Sequence, residues 1–134
     1  MRTILCLAVT AVLASQVADA REIRRDAVPE SFRGTWAPGT GACEDADKPP
    51  IVLTAKSYAG PAGSCVIDFV IEVPGRDGAI YSARMSCPGS QPQAKTIANL
   101  IIRPDAAEQI SLGATFESLV THRRCSSGAP TKQQ

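Results

Sequence analysis

The chain has 134 residues and a formal net charge of +1, with 44% hydrophobic and 20% charged residues. That length supports one domain with a single core. The near-neutral balance gives no electrostatic basis for binding nucleic acid or an anionic membrane surface.

Met1–Ala20 (MRTILCLAVTAVLASQVADA) reads as a secretory signal peptide. It has a positive charge at Arg2, an apolar run from Ile4 to Leu13 and a small-x-small cleavage site at Ala18-Asp19-Ala20. The run is too short to remain as a membrane-spanning helix, and no later stretch approaches that length, so a soluble mature chain is expected. Cleavage discards Cys6 and leaves Cys43, Cys65, Cys87 and Cys125. An even cysteine count in a small exported domain points to two disulfides and an oxidising compartment, periplasmic or secreted.

Residues 21–29 (REIRRDAVP) are polar and charge-rich and read as a flexible leader; residues 126–134 (SSGAPTKQQ) read as a disordered tail. The folded domain is then 30–125. Within it, Gly and Pro punctuate short apolar runs, and no long segment keeps a 3.6-residue period. The expected strands are Gly34–Ala37, Ile51–Lys56, Ser64–Val73, Ala79–Cys87, Thr96–Arg103, Gln109–Ala114 and Ser118–Cys125, with a turn at Asp105–Gln109. The fold class is therefore all-β, a small antiparallel barrel or sandwich of about 7–8 short strands.

The pair of runs around Pro74-Gly75-Arg76-Asp77-Gly78 has the clearest pattern. Cys65, Ile67, Phe69, Ile71 and Val73 share one face of the first strand; Ala79, Tyr81, Ala83, Met85 and Cys87 share one face of the second. Folding about Arg76 opposes Val73–Ala79, Ile71–Tyr81, Phe69–Ala83, Ile67–Met85 and Cys65–Cys87. A slip of one residue would turn one apolar set outward, so this register is favoured. On the other face it opposes Asp68 to Arg84 as a cross-strand ion pair. A Cys65–Cys87 bridge leaves Cys43 for Cys125, which joins the start of the folded region to its last strand.

The residues available for chemistry are few. His122 is the single histidine and is expected to face solvent from a strand. No G-x-S-x-G or G-x-G-x-x-G motif occurs. Zinc ligation lacks a C-x2-C pair, and the acidic run Glu44-Asp45-Ala46-Asp47 lacks the EF-hand spacing. That run is expected to lie beside His122-Arg123-Arg124 if Cys43 bonds Cys125. Asp68 and Glu72 share a strand face roughly 13 Å apart, beyond the separation that glycoside hydrolysis uses. Phe32, Trp36, Tyr58, Phe69, Tyr81 and Phe116 are too sparse for a base-stacking platform and are assigned to the core. These readings imply no catalytic site, cofactor or metal.

Phe32-Arg33-Gly34-Thr35-Trp36, followed by Cys43, resembles the opening of small exported calycin-like β-barrels, in which a G-x-W near the first strand lays the tryptophan across the barrel's closed end. The Arg124-Cys125 ending and the Cys65…Cys87 segment resemble those of small, uncharacterised periplasmic proteins of alphaproteobacteria that begin with F-x-G-x-W. The resemblance implies structural roles for Gly34 and Trp36. Bacterial inhibitors of metalloproteases and of lysozyme are similar small disulfide-bonded barrels, although the lysozyme inhibitors' S-G-x-x-Y pattern is absent here. The resulting expectation is a monomeric, exported, non-enzymatic protein-binding module, an inhibitor of a hydrolase by analogy. The alternative is a carrier of a small apolar ligand in the barrel interior, which would need a cavity of roughly 300 Å³ or more.

Overall fold

A computed structural model describes residues 21–39, 43–44, 48–61, 63–91 and 93–125. Residues 1–20, expected to be a signal peptide, residues 126–134, and the acidic residues Asp45 and Asp47 lie outside the described residues. Among the described residues nine strands run in chain order: β1 (Ile23–Arg25), β2 (Gly34–Pro38), β3 (Ile51–Leu53), β4 (Ser57–Gly60), β5 (Gly63–Val73), β6 (Ile80–Pro88), β7 (Lys95–Ala106), β8 (Gln109–Gly113) and β9 (Val120–Arg124). Single 3₁₀ turns occur at Glu30–Phe32 and Phe116–Ser118.

β2 to β9 form a closed eight-stranded antiparallel barrel. Each strand pairs with its successor, and β2 closes the barrel by pairing with β9, Trp36 opposite Arg124 and Pro38 opposite His122. Closure gives each barrel strand a neighbour on both sides, except that Val70–Glu72 of β5 runs past the end of β4 and is paired on that side by β1. The alternation of apolar and polar residues decides which side chains enter the core. Leu53, Ile67, Val70, Ala83, Leu100, Ile102, Ile110 and Leu112 are all buried inside. Both disulfides form as the register predicts: Cys65–Cys87 with Cα atoms 4.3 Å apart, and Cys43–Cys125 with Cα atoms 6.0 Å apart.

The structure corrects several expectations, among them the core placement of Phe116, which is 61% exposed. Residues 21–29 are not a free leader. They supply β1, which pairs with β5, and Val28, which is fully buried and donates its N–H to the Ala55 carbonyl at 2.8 Å. One deeply buried valine outweighs the polar residues around it, so the fold begins before residue 30.

The hairpin register holds only from the disulfide to Ile67↔Met85; beyond that, Phe69 pairs with Arg84, Val70 with Ala83 and Glu72 with Tyr81. Asp68 is the extra residue of a β-bulge, and the bulge reverses which side chains face inward. Val70 therefore takes the core position expected of Phe69 and Ile71. Asp68 accepts a hydrogen bond from Ser86 at 2.7 Å instead of pairing with Arg84.

The expected strand Ile51–Lys56 ends at Leu53 as β3, and a further strand that was not expected, β4, follows it and places Tyr58 in the core beside the Gly60-Pro61 turn. Finally, His122 is buried, not solvent-facing.

Candidate functional site

Trp36 on β2 is buried in the core. The 3₁₀ turn Glu30–Phe32 brings the Phe32 carbonyl within 2.9 Å of the indole Nε1, which donates to it. Trp36 is 1% exposed. The Arg124 guanidinium lies over its ring, 4.3 Å from the centroid, and donates to the carbonyls of Arg33 (2.8 Å) and Ser31 (2.6 Å). Glu108 completes the cluster through an ion pair with Arg124 at 2.8 Å. Gly34 has φ +132°, and a Cβ there would sit 2.9 Å from Arg124 Nη1. Both residues of the G-x-W pair thus act on one structural arrangement. The sequence named Gly34 and Trp36 but set Arg124 beside the acidic run and in the Arg124-Cys125 ending, not over the indole.

Ile51, Tyr58, Cys65, Met85, Ala98 and Leu112 line a hollow of about 190 Å³. Another hollow, of about 540 Å³, lies beside Trp36, bounded by Phe32, Pro104, Ile110 and Arg124. Burial raises the Tyr58 phenol above its ordinary range.

His122 faces inward, paired with Ile110 across the β8–β9 ladder, and its Nδ1 lies 2.7 Å from the Val120 carbonyl. Burial pushes its pKa below the ordinary histidine value, while the Val120 carbonyl opposes that shift. The serine nearest to it in the ladder is Ser111, which pairs with Thr121 and so lies on the other face of the sheet. Ser111 is itself 1% exposed. Its hydroxyl donates to Asp105 at 2.5 Å and accepts from Arg103 at 3.2 Å, while Arg103 also holds Asp105 at 3.0 Å. This network ties β7 to β8; it gives Ser111 no histidine base. Among the described residues no group of three or more His, Cys, Asp and Glu side chains could hold a metal ion.

The most distinctive surface is the outer face of β5, β6 and β7. Cross-strand rows there read Val66–Ser86–Ile97, then Phe69–Arg84–Asn99, then Ile71–Ser82–Ile101, then Val73–Ile80. Val66 is 58% exposed, Ile97 51% and Val73 40%. Phe116, 61% exposed, folds down from the β8–β9 connection beside Ile101. Two hollows lie on this wall. One of about 320 Å³ is bounded by Val73, Pro74, Ile80, Tyr81, Ile101 and Phe116. The other, about 580 Å³, is bounded by Ser57, Val66, Asp68, Ser86, Pro88 and Lys95. Between them sits Phe69, covered by the Arg24 guanidinium 3.9 Å from its ring centroid. The signal for this wall is present in the sequence: Val66, Phe69, Ile71, Ile97 and Ile101 make these strands apolar on both faces, which a barrel wall facing only water does not need.

No helix among the described residues is long and apolar enough to cross a membrane. No family model, curated protein or solved structure matches this chain.

Proposed function

We propose that this protein is an exported, non-enzymatic protein-binding module that docks a partner on the outer β5–β7 wall. The observation that carries this reading is the placement of exposed apolar side chains. Val66, Ile97, Val73 and Phe116 gather on one wall around two hollows, where isolated surface hydrophobics would scatter. Apolar centres ringed by polar side chains, here Ser57, Asp68, Ser86 and Lys95, suit a desolvated protein contact. Inhibition of a hydrolase is one activity such a module performs.

The carrier reading is disfavoured by volume. The hollow of about 190 Å³ beside Tyr58 and Leu112 falls short of the roughly 300 Å³ at the lower end of ligand pockets, and the one of about 540 Å³ beside Trp36 is bounded in part by the exposed residues Ser31, Ala107 and Glu108. An extracytoplasmic location is supported by the two disulfides and by the sequence of Met1–Ala20.

The test compares capture by the wild type with capture by a Val66→Asp/Phe116→Asp variant in periplasmic extract, read by mass spectrometry. A species retained by the wild type, lost by the folded variant and reconstituted as a purified pair supports the assignment. Equal capture by both proteins overturns it.

A further inference from the structure

β1 stands outside the barrel. Its three residues are all exposed, and in the sheet order it neighbours β5 alone. The two halves of β5 have different neighbours on that side. Gly63–Val66 pairs with β4, whereas Val70–Glu72 extends past the end of β4 and pairs with β1. Without β1, this part of β5 would be an open sheet edge.

Two side-chain contacts supplement the short ladder. Arg24 lies over Phe69 at 3.9 Å, and Arg25 pairs with Glu72 at 2.7 Å. Both are surface contacts of modest strength. Immediately after β1, the chain bends at Asp26 and Ala27 and is then pinned by fully buried Val28. The segment therefore divides into a fixed part and a surface-held part, with a two-residue bend between them. A three-residue strand with no buried residue, beside a closed barrel, belongs to the low-stability class of local opening.

We propose that β1 is an exchangeable strand and that the Val70–Glu72 edge of β5 is a strand-addition site for an extended, arginine-bearing segment of a partner protein. Main-chain pairing along the edge supplies affinity. Phe69 receives one cation on its ring, and Glu72 receives a second. The register of β1 specifies the incoming chain: antiparallel to β5, with adjacent arginines opposite Ile71 and Val70. This goes beyond docking on the β5–β7 wall, because it uses a backbone edge and a charged partner.

The probe is a fluorescein-labelled peptide of sequence REIRRDA, titrated by anisotropy into the full mature protein. Hydrogen exchange reads the amides of β1 and of Val70–Glu72 in parallel. The expected result is saturable binding that tightens at least fivefold in an Arg24→Ala/Arg25→Ala protein, whose own strand competes less well. Binding should weaken at least tenfold when Glu72→Gln and Phe69→Leu are combined in the protein. A scrambled peptide should not bind, and Val66→Asp/Phe116→Asp should leave binding unchanged, which separates this site from the wall. Absence of binding to the wild type and to the Arg24→Ala/Arg25→Ala protein, with β1 amides as protected as those of the barrel, overturns the proposal. A concentration-dependent wild-type dimer dissolved by the peptide would assign the edge to a second copy, and overturn the partner assignment.

Discussion

The Arg124 guanidinium stacks 4.3 Å from the centre of the Trp36 ring, over Gly34, and so joins the last strand of the barrel to the first. The indole has an apolar face against the core and a donor committed to the Phe32 carbonyl, so neither part is left unsatisfied. Trp36→Ala should cost roughly 3–5 kcal/mol, the scale for truncating a buried large aromatic. Gly34→Ala should cost about 1–3 kcal/mol, because a residue with a Cβ is strained at this φ and also displaces Arg124. Urea denaturation of the two variants checks both values. A mild effect at Trp36 would show that the buried indole contributes little to stability.

His122 makes stability depend on pH. Its folded pKa is depressed by burial, whereas the unfolded chain titrates near about 6.5. The stabilising contribution is therefore complete above that unfolded value. It is lost as pH falls from there through the folded pKa, since only the unfolded state readily takes the proton. Denaturation at pH 7.5 and pH 5 should show a larger loss for the wild type than for His122→Leu. Identical losses would mean that the imidazole reaches water in the folded state. His122→Ala should cost about 2 kcal/mol through the space it vacates, whereas an exposed strand residue would be nearly neutral there.

The two disulfides differ in the length of chain they span. Cys65–Cys87 spans a separation of 22 residues and Cys43–Cys125 one of 82. On the chain-entropy account, removing them as Cys→Ser pairs costs roughly 3 and roughly 4.5 kcal/mol. Non-reducing peptide mapping should recover these two crosslinks, and the paired variants should rank in that order in urea.

Export should leave a chain beginning at Arg21. Ala18-Asp19-Ala20 motivates the site, and β1 begins at Ile23, close behind it. Intact mass of the secreted protein checks this. A product that begins beyond Arg25 would lack β1 and would remove the basis for the strand-addition site.

The contrast between legible and hidden features has a physical cause. The disulfides could be read because alternation over Cys65–Ile67 and Met85–Cys87 fixes a local register, and elimination does the rest. The bulge at Asp68 could not, because a two-residue period carries no mark of an inserted residue when both faces of the strand are apolar. β1 was hidden by composition. Its arginines belong to a strand that buries nothing itself, and the one residue that anchors the segment, Val28, has no periodic neighbours. β4 was obscured by the adjoining Gly60-Pro61 turn. His122 misled because an isolated histidine between Thr121 and Arg123 looks polar, and only closure of the barrel shows that its face of the strand is the interior. The wall at β5–β7 was not read from the sequence, because Phe69 and Ile71 were set on the inner face until the bulge turned them outward.

Every pairing within the barrel joins strands adjacent in sequence except one, the seam between β2 and β9. A meander of this kind zips by local steps, so most of the cost of closing long loops falls on that single seam. Cys43–Cys125, the Trp36 stack and the hydrogen bonds from Arg124 to residues 91 and 93 positions earlier all meet beside it. The seam also brings the start of the first barrel strand next to the end of the last, Trp36 opposite Arg124. The barrel could therefore be recut: a peptide joining those ends, with new termini at the exposed Gly75–Gly78 tip, would turn its only distant pairing into a hairpin and move the kinetic bottleneck elsewhere.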